Sequence, residues 1–128
     1  MGSRFTELIV DAANPDQLAQ FWMAVLGWQP TGRYPQPAVE IADPAHGEGG
    51  GSIGGPSITF VPVSDEKRGK NRLHIDVNPV GCDQDAEVAR LIGLGARHVD
   101  VGQGPDKSWV VLADPEGNEF CVLRARID

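Results

Sequence analysis

One pattern, a short β-type run feeding a capped amphipathic helix, is written twice in this chain, and that duplication restricts the fold more than any other feature. The first copy opens with Phe5 to Asp11, rich in β-branched and apolar residues as a strand requires. Asn14-Pro15-Asp16-Gln17 then marks a helix start: Asn14 caps, Pro15 suits the first helical position, and Gln17 completes a capping box. Leu18, Phe21, Trp22, Val25 and Leu26 recur at three- and four-residue spacing and form one apolar face. Gly27 ends the helix, where a residue tolerating positive φ is needed.

The second copy repeats this grammar. Leu73 to Asn78 reads as a strand, Asp83 as a cap, and Val88, Leu91 and Ile92 as the apolar face of a helix that Gly95 stops. Glu7 and His74 each stand early in the strand that feeds a helix, so they are expected at corresponding places in the two copies. A repeat of this length points to internal duplication.

Strand material follows each helix. In the first copy it lies near Ala38 to Asp43 and at Ser57 to Val63; in the second, at Arg97 to Val101, Trp109 to Ala113 and Glu119 to Arg124. Asp114-Pro115-Glu116-Gly117 joins the last two as a turn, with proline second and glycine at the left-handed position. The order βαββ(β), twice, predicts an α+β fold with mixed sheets. Between the strands of the first copy, the glycine-rich stretch from His46 to Pro56 lacks a P-loop lysine and precedes no helix. It reads as a loop rather than a nucleotide site.

Composition excludes several functions. The chain of 128 residues carries 11 basic and 18 acidic residues, a formal net charge of -7, which repels a phosphate backbone or an anionic membrane surface. Neither nucleic acid nor membrane is therefore expected as a partner. Lys67, Arg68, Lys70 and Arg72 cluster, and a solvated loop is the simple account of them. Cys82 and Cys121 lack CxxC spacing and read as reduced thiols, which with the absence of a signal-like segment predicts a cytoplasmic protein.

The Phe21-Trp22 pair, the Leu26-Gly27 stop, Leu73-His74-Ile75-Asp76 and Val111-Leu112-Ala113-Asp114-Pro115-Glu116-Gly117-Asn118, in this order, resemble the vicinal-oxygen-chelate superfamily of glyoxalases, bleomycin-resistance proteins and extradiol dioxygenases. The resemblance runs through nearly the whole chain, the glycine-rich loop being its main departure. It implies one glyoxalase-like domain, residues 1–128, of two βαβββ modules (about 4–66 and 71–126) forming a cup-shaped mixed sheet with helices outside. It also implies a homodimer and a small-molecule ligand in the cup. Strand alternation then leaves Phe5, Glu7, Ile9, Thr59, Val61, His74, Asp76, Cys121 and Leu123 facing the ligand.

Many relatives hold a divalent metal through four inward positions, which on this chain are Glu7, Val61, His74 and Cys121. Valine cannot ligate, so the resemblance leaves Glu7, His74 and Cys121: a carboxylate, an imidazole and a thiol. Zinc accepts that mixture best, with water in the fourth place. Cysteine where the isomerases and dioxygenases of the superfamily carry glutamate argues against both chemistries, and either no metal or one divalent metal is expected.

Each candidate has a plain alternative. Cys121 packs well as a small apolar residue, and His74 can simply bond Asp76 or Glu7. An acid at an inward strand position costs free energy unless paired, hydrated or used, which favours a functional role for Glu7 with His74. Trp109 offers a broad face for a flat ligand, and core packing is its alternative. The leading expectation is a pocket for a small, largely apolar or aromatic molecule, lined by Phe5, Val61, Asp76, Trp109, Cys121 and Leu123, with a degenerate metal site. The alternative is a lyase or isomerase of the glyoxalase type that uses Glu7 and His74 in metal-assisted or acid–base chemistry.

Overall fold

A computed structural model describes residues 2–46, 55–102, 104 and 106–128. Most of the glycine-rich stretch, residues 47–54, lies outside the described residues. The elements in chain order are β1 (Glu7–Ala12), α1 (Pro15–Leu26), β2 (Gln29–Pro30), β3 (Val39–Ala42), a 3₁₀ turn at Pro44–His46, and β4 (Ser57–Pro62). Then come β5 (Ile75–Val77), α2 (Gln84–Leu94), β6 (Arg97–His98), β7 (Val110–Ala113) and β8 (Glu119–Val122). The order βαβββ thus occurs twice. Two compact units result, Met1–Glu66 and Lys67–Asp128.

In the first unit the strand order is β1-β4-β3-β2, with β1 parallel to β4 and the other pairs antiparallel. The second unit repeats it as β5-β8-β7-β6. The strand β2 was absent from the sequence expectation because it is two residues long and contains Pro30. It sits at a sheet edge, where a missing N–H breaks no ladder. Phe5 lies outside β1, and His74 stands one residue ahead of β5.

Both helices start and stop as their local sequence requires. Asn14 Oδ1 accepts from the Gln17 amide at 3.1 Å, and Asp83 Oδ1 accepts from the Ala86 amide at 2.8 Å. Gly27 adopts φ +71° and donates its N–H to the Met23 carbonyl at 2.8 Å, closing α1. Leu18, Phe21, Trp22 and Val25 are buried, and the Phe21 and Trp22 rings meet edge to face at 5.4 Å. The sheet supplies the matching surface: Ile58 pairs with Leu8 and Ile41, Phe60 pairs with Val10, and Ile41, Ile58 and Phe60 are buried.

In the second unit Phe120, Val122 and Leu112 are fully buried along with Leu91 of α2. The apolar face expected on this helix is narrower than its spacing suggests. Val88 is half-buried and Ile92 is exposed, while Glu87 is buried and gripped by Arg90 through contacts of 2.8 and 2.9 Å. Asp114, also buried, ties the β7–β8 turn: its Oδ1 accepts from the amides of Glu116 and Asn118, each at 2.9 Å.

Backbone bonds fix how the two modules correspond. The Val63 amide donates to the Ala12 carbonyl at 3.0 Å, just as the Leu123 amide donates to the Val77 carbonyl at 2.8 Å. Counting back along each ladder, Val61 matches Cys121, Asp11 matches Asp76, and Ile9 matches His74. Glu7 therefore lies two residues before the place of His74, not at it. The short β5 and the longer connection to its helix account for the offset.

Candidate functional site

Sheet parity builds the second unit's site. Cys121 pairs with Asp76 on β5 and with Val111 on β7, so all three project from the face opposite Phe120 and Val122. His74, just ahead of β5, joins them: its Nδ1 lies 2.8 Å from Asp76 Oδ1. Of the two partners the sequence offered His74, the structure uses Asp76. One donor atom each from His74, Asp76 and Cys121 falls within 4.8 Å of the others.

His74 and Cys121 border a concavity of about 230 Å³ whose walls also include Val101, Trp109 and Val111, with Lys70 and Glu119 beside His74 at its polar margin. Trp109 is 36% exposed, so its ring is presented rather than used as core. Lys107 Nζ stands 5.7 Å from the ring centroid, a cation–π distance. Cys121 is buried, and burial followed by the adjacent Asp76 carboxylate pushes its thiol above the ordinary range. Of the residues expected to meet ligand, His74, Trp109 and Cys121 line the concavity, while Asp76 bonds His74 from outside the lining. Leu123, half-buried just beyond β8, is not among the walls.

Phe5, Glu7 and Val61 belong to the first unit. Phe5 is 65% exposed and Val61 half-buried. Glu7 accepts from the Tyr34 hydroxyl at 2.8 Å and from the Thr59 hydroxyl at 3.0 Å, so the acid is paired rather than stranded. The hydrogen bond to Glu7 is the chief reason that the Tyr34 phenol is pushed up.

Beside it lies a buried carboxylate that the sequence did not reveal. Glu40 receives Arg33 Nε at 2.7 Å and Nη2 at 2.6 Å, Thr31 Oγ1 at 2.5 Å and Ser57 Oγ at 2.7 Å. Led by the Arg33 bond, these contacts outweigh burial and hold Glu40 down at about 2. Alternation across β3 could have placed Glu40 beside Thr59, but the loop residues Thr31, Arg33 and Tyr34 carried no positional signal. Val111 was more accessible to sequence reasoning, since counting out from the Asp114–Gly117 turn pairs it with Cys121.

A glyoxalase-like domain family model matches residues 7–123. The chain belongs to that family. It thereby falls within the vicinal-oxygen-chelate superfamily, as its motifs imply. No curated protein matches it in sequence. Solved structures agree in fold. A glyoxalase/bleomycin resistance protein/dioxygenase family enzyme from Burkholderia phytofirmans PsJN superposes with TM-score 0.64 at 18% identity, covering 94% of this chain and 97% of that one. A fosfomycin resistance protein variant, FosX from Listeria monocytogenes, complexed with Mn(II) and a dihydroxypropylphosphonic acid, gives 0.67 at 13% identity and covers 96% and 90%. TioX from Micromonospora sp. ML1 gives 0.54 at 16% identity and covers 95% and 98%.

A group able to hold a divalent ion is thus present in this glyoxalase-like chain. Imidazole, carboxylate and thiol are each ligand types that divalent metals accept. Asp76 supplies the carboxylate of the group. The raised thiol of Cys121 means that an ion must displace a firmly held proton there. Among the described residues, no helix is long and apolar enough to cross a membrane.

Proposed function

We propose that this glyoxalase-like protein binds a small, largely apolar or aromatic molecule in the concavity of its second unit, as a sequestering or resistance-type binder. The observation that carries this reading is Trp109, whose exposed ring stands in the same wall as Val101, Val111 and Cys121. An apolar enclosure with few polar groups is the usual form of a small-molecule site. The modest volume suits one or two fused rings, and the His74–Asp76 pair supplies a polar anchor at the margin.

A thermal-shift survey of mono- and bicyclic aromatic compounds tests it, because a ligand that prefers the native state must raise the melting temperature. The expected hit stabilises the wild type and fails to stabilise a folded Trp109→Ala variant. Equal stabilisation of both proteins by every hit contradicts the reading.

The second reading is an enzyme, a lyase or isomerase of the glyoxalase type acting on a small carbonyl-type substrate. The three converging donors of His74, Asp76 and Cys121 favour it. Bound there, zinc would act as a Lewis acid on a carbonyl or enolate oxygen; in a metal-free form Glu7 or His74 is the acid–base candidate. Elemental analysis of protein purified without chelators distinguishes the readings. Near-stoichiometric zinc, lost in His74→Ala, supports the metal-assisted enzyme; protein that stays empty after zinc soaking removes that form of it.

Either reading takes the two modules as halves of one domain in a cytoplasmic homodimer that binds neither nucleic acid nor membrane. Light scattering in solution checks the dimer.

A further inference from the structure

A second, more open groove of about 500 Å³ adjoins the Trp109 concavity, and the two share Lys70, Val101 and Glu119 in their walls. Five charged side chains line this groove: Lys67, Lys70, Arg97, Asp100 and Glu119. Both acids are already engaged. Glu119 pairs with Lys67 at 2.8 Å and accepts from the Asn71 amide at 3.2 Å. Asp100 Oδ1 accepts from the Gly102 amide at 2.7 Å.

Three cations and two acids leave the groove net positive by one charge, and two of the cations, Lys70 and Arg97, form no ion pair among the described residues. Among the described residues Lys70 Nζ donates to the neighbouring Asn71 carbonyl, at 3.1 Å, and makes no ion pair. The Arg97 guanidinium has no hydrogen-bond or ion-pair partner among the described residues. It extends from the edge strand β6 past Gly117, whose φ of +88° closes the β7–β8 turn. The guanidinium packs against that turn, 3.6 Å from where a Cβ of residue 117 would stand, an ordinary contact distance. A chain of net charge -7 has ample carboxylates with which to neutralise a basic pair, yet this pair is left open beside the apolar pocket.

We propose that the ligand of the Trp109 pocket carries an oxyanion, a carboxylate or phosphate, that Lys70 and Arg97 hold in the adjoining groove. This rests on the small-molecule reading above and narrows it to anionic aromatic compounds. Arginine offers a planar fork matched to two oxygens, and lysine adds a point charge at the junction of the two cavities. Because both side chains are exposed, the contact depends on ionic strength.

Calorimetric titration of the intact protein with 2-naphthoate, 2-naphthyl phosphate and neutral 2-naphthylmethanol, at low and high NaCl, tests this. The expected result is that at least one anion binds about ten-fold or more tighter than the alcohol. Salt and Arg97→Gln are expected to erase that advantage and leave binding of the alcohol unchanged. Whichever anion leads identifies the oxyanion class. Equal affinities for all three probes, insensitive to Arg97→Gln, overturn the oxyanion subsite while leaving the pocket in place. Binding by none of them, in protein shown to be folded, overturns the aromatic pocket and the subsite together.

Discussion

His74 Nδ1 and Asp76 Oδ1 stand 2.8 Å apart on the sheet face that also presents Cys121 of β8. A carboxylate at that nitrogen holds the proton on Nδ1 and leaves Nε2 free to accept from a ligand or bind an ion. Nitrogen-detected NMR of the imidazole is therefore expected to show the Nδ1–H tautomer in the wild type and a shift toward Nε2–H in Asp76→Ala. Stability should change by less than about 1 kcal/mol, since both side chains are more than two-fifths exposed. An unchanged tautomer in the variant contradicts the assignment.

Glu40 gives the clearest pH dependence. Its carboxyl is held at about 2 against an ordinary 4.5, so its stabilising contribution is complete above pH 4.5 and fades as pH falls toward 2. Arg33→Met, which leaves the buried carboxylate without its main partner, should cost roughly 2 kcal/mol near neutrality after allowance for the part-exposed guanidinium. Denaturant titrations from pH 3 to pH 7 should show this penalty shrinking as the pH is lowered. A penalty independent of pH would argue that Arg33 acts through packing alone.

The two thiols should differ in reactivity. Cys121 is buried and its thiol is pushed up, whereas Cys82 is partly exposed. Labelling with a disulfide reagent at pH 7.5 is expected to give one fast phase, abolished by Cys82→Ser, and one slow phase on the timescale of local opening. Fast labelling of Cys121 in the Cys82→Ser protein would contradict its placement.

At the end of α1, Gly27→Ala forces an alanine into φ +71° and should destabilise by about 1 kcal/mol. Asn14→Ala, which removes the acceptor at the other end, should cost a similar ~1 kcal/mol. Thermal unfolding of the two single variants and the double variant checks both values. The effects should add, because the sites lie at opposite ends of the helix.

Much of the architecture was legible because the repeated signals are local. The Asn14 and Asp83 caps, the Gly27 and Gly95 stops and the Asp114–Gly117 turn each satisfy backbone groups within a few residues. The strand β2 was missed for the opposite reason, since two residues at a sheet edge carry too little alternation to register, and β6, expected over Arg97 to Val101, spans only Arg97–His98. Pairing also corrected the modular correspondence, matching His74 with Ile9 rather than Glu7. Within the site, His74, Asp76, Trp109 and Cys121 followed from parity and motif. Lys70, Val101 and Arg97 did not, since loop geometry and an edge strand bring them to the pocket or its groove.

Chemical-shift mapping on labelled protein, with aromatic compounds that raise its melting temperature, tests the central claim most directly. The account predicts saturable shifts centred on the Trp109 indole N–H and the backbone amides of Val101, Val111 and Cys121. Saturable shifts that leave all four unmoved would contradict it.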